Sequence, residues 1–244
     1  MNKTLKQTCT AWLVAGSLGW TPLSVSAETI INFDFGRTDS AFSASDGAQL
    51  TTLAGWNNVT STNNSLSGNT SQIADLVDSM GESTGIQADF AYIGGASVAG
   101  DGADYAGPYP AAVASLPLTA LSDSFFTNNS GQATMTLSGL DDEMVYDFLF
   151  YGARGNNDSA ATYAVTGSGD TVEVTIDAVF NNASSTPTVL GISPDSDGEI
   201  TVVIGGGTNP RVALNVLQIT ERVPEPGSLA LLALGGVLIA RRRR

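Results

Sequence analysis

The chain has 244 residues with 10 basic and 24 acidic side chains, no histidine and a single cysteine. A net charge of −14 repels nucleic acid and other polyanions, which sets them aside as partners. Without histidine there is no Ser-His-Asp or Cys-His hydrolase, no histidine-ligated zinc and no ordinary neutral-pH base.

Lys3 and Lys6 precede an apolar stretch over residues 11–23, and Val25-Ser26-Ala27 follows as a small-residue site of the A-x-A type. That order predicts a secretory signal peptide over 1–27, cut by signal peptidase after Ala27, with the mature chain beginning at Glu28. An uncleaved N-terminal anchor is the alternative. Cys9 stands before the apolar stretch rather than just behind it, which argues against lipoprotein processing. Between Glu28 and Pro226 only Arg37, Arg154, Arg211 and Arg222 face all twenty-four acids, a net charge of −20. This segment has no Cys, Lys or His, so core and sheet alone must hold it, and Schiff-base or Ser-Lys chemistry is absent from it. Divalent cations, neutral glycans and basic surfaces remain as partners, and solubility outside the cell accounts for the charge equally well.

Strand patterns dominate the middle. Residues 29–35, TIINFDF, are β-branched and aromatic and end at Gly36. Residues 57–70 are rich in Asn, Ser and Thr, and 94–110 in Gly and Ala with tyrosines, so both read as long loops. Residues 72–80 alone approach helical spacing, through Ile73, Leu76 and Val77, although the same residues suit an edge strand. Residues 132–138 alternate Ala133, Met135 and Leu137 with polar neighbours, and 145–151, VYDFLFY, close on Gly152. Residues 162–166, 171–177, 199–204 and 211–219 repeat the pattern between Gly, Asn and Asp clusters. No internal repeat interrupts it. This spacing predicts an all-β fold, an antiparallel β-sandwich, over residues 28–222.

The C-terminal stretch is of another kind. Residues 223–228 form a Pro/Gly linker containing Pro224-Glu225-Pro226, whose two prolines fix φ and remove two donors, so an extended and exposed spacer is expected. Residues 229–240 are uncharged and apolar, and Arg241, Arg242, Arg243 and Arg244 follow. As a helix, that run would span about 18 Å, short of the roughly 30 Å hydrocarbon core. A buried C-terminal helix would show a polar face, and this run has none. The triplet, the short apolar run and the basic end resemble the PEP-CTERM sorting signal of bacterial envelope proteins. The resemblance implies a membrane protease-transpeptidase, exosortase, as the processing partner, with residues 229–244 as a short transmembrane segment and basic tail. The expected path is export, a transient stay in the inner membrane with the domain outside and the arginines inside, then the envelope surface or the extracellular space.

Two further likenesses bear on the domain. Leu137-Ser138-Gly139-Leu140 followed by Tyr146 resembles the corner of fibronectin-type sandwiches, where a tyrosine hydroxyl bonds back to the preceding turn. The run Asp34-Phe35-Gly36, Gly55-Trp56-Asn57-Asn58, Gly139-Leu140, the Tyr-rich strand into Arg154, the hairpin from Pro194 to Ile200 and the closing Leu217-Gln218-Ile219 is similar to domains of other PEP-CTERM proteins. Such domains look like jelly-roll or galactose-binding-like sandwiches, and no binding residue carries over with the likeness.

For chemistry, a glycosidase-type carboxylate pair survives the exclusions, with Glu82, Glu143, Glu173 and Glu199 as candidates that no spacing singles out. Asp195, Asp197 and Glu199 are the best local calcium candidates, yet the third ligand position and the distal glutamate of an EF-hand are missing, and a hairpin turn explains the cluster. Asp101 and Asp104 make a weaker version of the same case. No other cofactor is indicated. Asp34-Phe35-Gly36 lacks the other kinase elements, and Gly205-Gly206-Gly207 opens no helix, so neither is a nucleotide motif. Trp56, Tyr92, Tyr105 and Tyr109 are the aromatics to watch for sugar stacking, with burial in the core as the plainer alternative. Asn58, Asn63, Asn69, Asn128, Asn157 and Asn182 each begin an Asn-x-Ser/Thr triplet, a candidate for glycan decoration. The expectation is a non-catalytic exported envelope or matrix protein, sorted by its tail and binding polysaccharide. The alternative is a carbohydrate-active hydrolase using two carboxylates.

Overall fold

The computed structural model describes residues 28–37, 50–53, 55–61, 70–93, 96–99, 107–122, 124–127, 131–155, 160–176, 180–205 and 212–224. The signal peptide expected over 1–27 and the apolar run over 229–240 lie outside the described residues. In chain order the first elements are β1 (Thr29–Arg37), β2 (Leu50–Leu53), β3 (Trp56–Ser61), β4 (Thr70–Ile73), β5 (Gln87–Ile93), β6 (Ala96–Ala99), α1 (Leu118–Ser122) and β7 (Ser124–Thr127). Then come β8 (Gln132–Ser138), β9 (Val145–Tyr151), β10 (Ala161–Thr166), β11 (Val172–Ile176), β12 (Thr188–Ile192), β13 (Ile200–Gly205), β14 (Val212–Leu214) and β15 (Val216–Arg222).

Two six-stranded sheets, ordered β12-β9-β15-β1-β3-β2 and β11-β10-β13-β8-β5-β4, are joined by a three-stranded sheet β14-β7-β6. The alternation in β8 and β9 does what period two requires: Ala133, Met135 and Leu137 point inward, as do Tyr146, Phe148 and Phe150. The inner faces meet through aromatics. Phe150 of the first sheet stacks on Tyr163 of the second with centroids 4.5 Å apart, and Phe33 meets Phe90 edge-on at 6.3 Å. The sandwich is antiparallel as expected, with one correction. β1 and β3 run parallel, Phe33 pairing with Asn57 and Phe35 with Val59.

The first sheet is covered on its outer face too. Trp56, Tyr151, Ala153 and Val216 pack there against Val113, Ala120 and Leu121 from the 107–122 segment. That explains why β3 reads as loop in sequence: with both faces buried, Trp56-Asn57-Asn58 cannot alternate polar with apolar. Stretch 57–70 is thus partly strand, and so is 94–110, through β6. Stretch 72–80 is not a helix. Its start is the edge strand β4, and α1 is a five-residue helix opened by Pro117, whose carbonyl accepts from Ala120 and Leu121 N–H.

The corner resemblance holds in geometry. Tyr146 Oη accepts from Asp141 N–H at 3.0 Å, five residues back, and Gly139 takes the left-handed φ of 77° the turn needs. The single strand expected over 211–219 is two, β14 and β15, broken at Asn215. This fully buried asparagine accepts from Ala153 N–H at 2.7 Å, donates to Leu121 O at 3.0 Å, and through its backbone bonds Tyr151 O and Phe35 N–H. It therefore ties α1 and the start of the 153 loop to two central strands. Asn215→Leu would orphan two buried backbone groups, so a loss of about 2–5 kcal/mol is expected by chemical denaturation. A loss below about 0.5 kcal/mol would show that the asparagine is replaceable packing.

Candidate functional site

The sequence-derived candidates separate once placed. Asp195, Asp197 and Glu199 form a hairpin turn: Asp195 Oδ1 accepts from Asp197 N–H at 2.9 Å and Glu199 N–H at 3.0 Å, and Gly198 takes φ 73°. Asp195 N–H bonds Glu199 O at 2.9 Å, closing the turn into β13. Among the described residues no three His, Cys, Asp or Glu side chains converge as a metal-binding group. Glu82 lies in the segment after β4, Glu143 in the turn before β9, Glu173 on β11 and Glu199 in the hairpin. Asp101, Asp104 and Tyr105 fall outside the described residues.

Trp56 and Tyr92 are each only 5% exposed and belong to the core, so neither offers a ring face to a sugar. Tyr92 lies beside Phe90 and Phe125, and burial pushes its hydroxyl up to about 12, partly offset by its bond to Ser71. Tyr109 is half-buried and sits edge-on to Tyr151, at 6.3 Å. Two of the six Asn-x-Ser/Thr triplets are likewise removed from glycan chemistry. Asn58 is fully buried, and Asn182, 4% exposed, spends its amide on Gly152 O, Ser185 O and the N–H groups of Ser184 and Ser185. Asn63, Asn69, Asn128 and Asn157 lie outside the described residues.

What the sequence did not suggest is an open groove of about 570 Å³ on the outer face of the second sheet. Ser71, Gln72, Asp89, Phe90, Ala91, Thr134 and Thr136 line it. Register assembles it: Gln72 pairs with Asp89, and Asp89 with Thr136, across β4, β5 and β8. Gln72 Nε2 donates to Asp89 Oδ1 at 2.7 Å and Gln87 Nε2 to Oδ2 at 2.6 Å, so the carboxylate is held flat against the strands by two amides. Among the described residues, such a surface presents acceptors and hydroxyls and no cation. It suits hydroxyl-rich neutral chains and repels anions. Among the described lining residues no aromatic ring is exposed as a stacking platform. The strand pattern of β5, with Ala88, Phe90 and Tyr92 alternating against Gln87, Asp89 and Ala91, is the signal that would have located it.

The tail junction is the other candidate. β15 ends at Arg222, and Val223, 51% exposed, and exposed Pro224 carry the chain out of the sheet. Glu225, Pro226 and Arg241 to Arg244 lie outside the described residues, as does Ala27. Among the described residues no helix is long and apolar enough to cross a membrane.

Comparison with known proteins bears on the two ends of this picture differently. No curated protein matches the chain. Among solved structures it is similar to TmCBM61 in complex with β-1,4-galactotriose, at 13% identity over 53% of this chain and 86% of that one, TM-score 0.30. It is also similar to the exo-β-1,3-galactanase of Phanerochaete chrysosporium with galactose, at 13% identity over 59% of this chain and 32% of that one, TM-score 0.35. The family 32 CBM from C. perfringens NanJ in complex with galactose gives 14% identity over 51% and 91%, TM-score 0.27. Superpositions this loose carry no statement about what the present chain binds. The family described as the PEP-CTERM protein-sorting motif matches residues 222–244, starting at the last residue of β15. That motif implies export to the cell envelope and processing by an exosortase-type enzyme. The chain is therefore an all-β sandwich followed directly by a C-terminal PEP-CTERM protein-sorting motif.

Proposed function

We propose that this is a non-catalytic envelope or matrix protein, delivered by its signal peptide, held briefly in the inner membrane by residues 229–240 and freed or transferred by cleavage at or beside Pro224-Glu225-Pro226. The observation that carries the reading is the abutment of sandwich and motif at Arg222. A folded domain that ends where the sorting segment begins carries the chain out through exposed Val223 and Pro224, and two fixed proline φ angles favour the extended backbone that proteases bind. A twelve-residue apolar run mismatches the bilayer, which suits an anchor made to be removed.

Pro224→Ala with Pro226→Ala is expected to leave the unfolding midpoint unchanged, because both positions follow the last strand, and to leave the protein uncleaved in the membrane. Membrane fractionation of cells carrying the processing enzyme reads this out. Processing at the wild-type rate would contradict it.

In the same reading the sandwich meets neutral envelope polysaccharide through the groove around Asp89. The described lining residues offer no stacking ring, so single-site binding is weak and retention depends on many contacts along a polymer. Affinity electrophoresis through a neutral polysaccharide gel should retard the wild-type domain, and Asp89→Ala should remove most of the retardation. Equal mobility of the two would leave the groove without this role.

A further inference from the structure

Both ends of the domain leave from one place. β1 begins at Thr29, which pairs with Glu221 near the end of β15, and Ile30 pairs with Thr220. Adjacent strands lie about 4.8 Å apart, so Glu28 and Val223 emerge side by side. The C-terminal exit is fastened as well. Tyr146 Oη donates to Glu221 Oε1 at 2.9 Å. Arg222 donates from Nε to Asp147 Oδ2 at 2.7 Å and from its terminal nitrogen to Oδ1 at 3.0 Å, a two-pronged ion pair. Asp147 Oδ1 also accepts from Gly191 N–H at 2.6 Å, which joins the edge strand β12 to the grip. The two residues that hold the exit are neighbours on β9, and the two they hold are the last of the sheet.

We propose that this end of the first sheet is the surface on which the tail-processing enzyme works, and that Tyr146 and Asp147 are positioning residues that fix the tail's exit at Val223. The inference rests on the processing reading above. From Val223 to the start of the apolar run there are six residues, which reach about 20 Å at full extension, so this end of the sandwich must face the bilayer. Within that gap the enzyme has to take hold of an extended stretch beginning no earlier than Val223. A fastened exit presents the triplet in a narrow set of positions, while a frayed one adds two residues of slack and spreads them.

The ends of strands fray easily, so loss of the ion pair should act on presentation before it acts on the fold. In cells carrying the processing enzyme, the half-time of tail removal is followed by pulse-labelling for wild type, Asp147→Ala, Arg222→Ala and the double variant. Each single variant is expected to be processed roughly threefold more slowly, the scale of a partly exposed ion pair, and the double variant no more slowly than either. The unfolding midpoint of each purified domain is measured in parallel, and the rate is expressed per folded molecule. Slowing by Arg222→Ala alone would mean that the enzyme reads the arginine directly and would overturn the positioning role. Unchanged rates in all three variants, with wild type processed normally, would overturn it too. A wild-type chain that keeps its tail would instead count against the processing reading itself.

Discussion

Removing residues 216–244 will leave a chain that does not fold, whereas removing residues 223–244 will leave a stable domain. The reason is topological. β15 is the last strand in sequence yet lies in the middle of the first sheet, paired with β1 from Thr29 to Asp34 and with β9 from Val145 to Tyr151. Without it the sheet splits into two fragments, each with a long unpaired edge and buried polar groups left open. Val216, Leu217 and Ile219 are all fully buried, and at about 1.5–3 kcal/mol each their loss removes about 5–9 kcal/mol. That is comparable to the whole stability of an ordinary domain, about 5–15 kcal/mol. Circular dichroism and urea melts of the two truncations decide it. A cooperative transition in the shorter chain would mean that β15 is an accessory strand.

The second large effect is alkaline unfolding. Tyr92, Tyr146 and Tyr163 all have hydroxyls raised above the ordinary tyrosine range, chiefly by burial, and for Tyr146 the neighbouring Glu221 adds to it. Tyr163, fully buried, stacks on Phe150 and donates to the Ala213 carbonyl, so its ionised form would have no solvent at all. The sign follows from linkage. The native state keeps these protons where the unfolded chain has lost them. Stability is therefore complete below the unfolded pKa near 10 and falls as pH rises above it. The slope is about 1.4 kcal/mol per pH unit for each tyrosine, or about 4 for the three together. Residues 28–226 have no lysine and no cysteine to titrate in that window, which makes the slope readable. Urea midpoints at stepped pH, with tyrosinate absorbance as a second signal, should fall together above about pH 10. A flat midpoint to about pH 11.5, or an unchanged slope in Tyr163→Phe, would contradict the burial argument.

How much of this is legible in the sequence depends on which faces a strand buries. β8, covered on one side, alternates and can be read to the residue, and so can β9 as far as Phe150, before Tyr151 is buried on the outer face. β1 is recognisable by its β-branched and aromatic run, and the Tyr146 corner by its spacing from Gly139. β3 is lost because the 107–122 segment buries its second face, and nothing in Trp56-Asn57-Asn58 announces a parallel partner in β1. The break at Asn215 is invisible because apolar residues flank it on both sides, and its role lies in bonds to residues as distant as Leu121. The sites divide the same way. A sorting tail is contiguous and keeps its order, so it can be read. The groove is assembled by register from Gln72, Asp89 and Thr136, each an ordinary residue of its own strand.

The last strand ends at Arg222, and we propose that residues 223–244 are a processing segment. The intact mass of the protein recovered from cells that carry the processing enzyme distinguishes the two outcomes, tail removed or tail kept. The expected chain begins at Glu28 and ends within residues 223–228, or at that position with an added group if the domain is transferred. A fully soluble protein whose mass still includes Arg244 would contradict it.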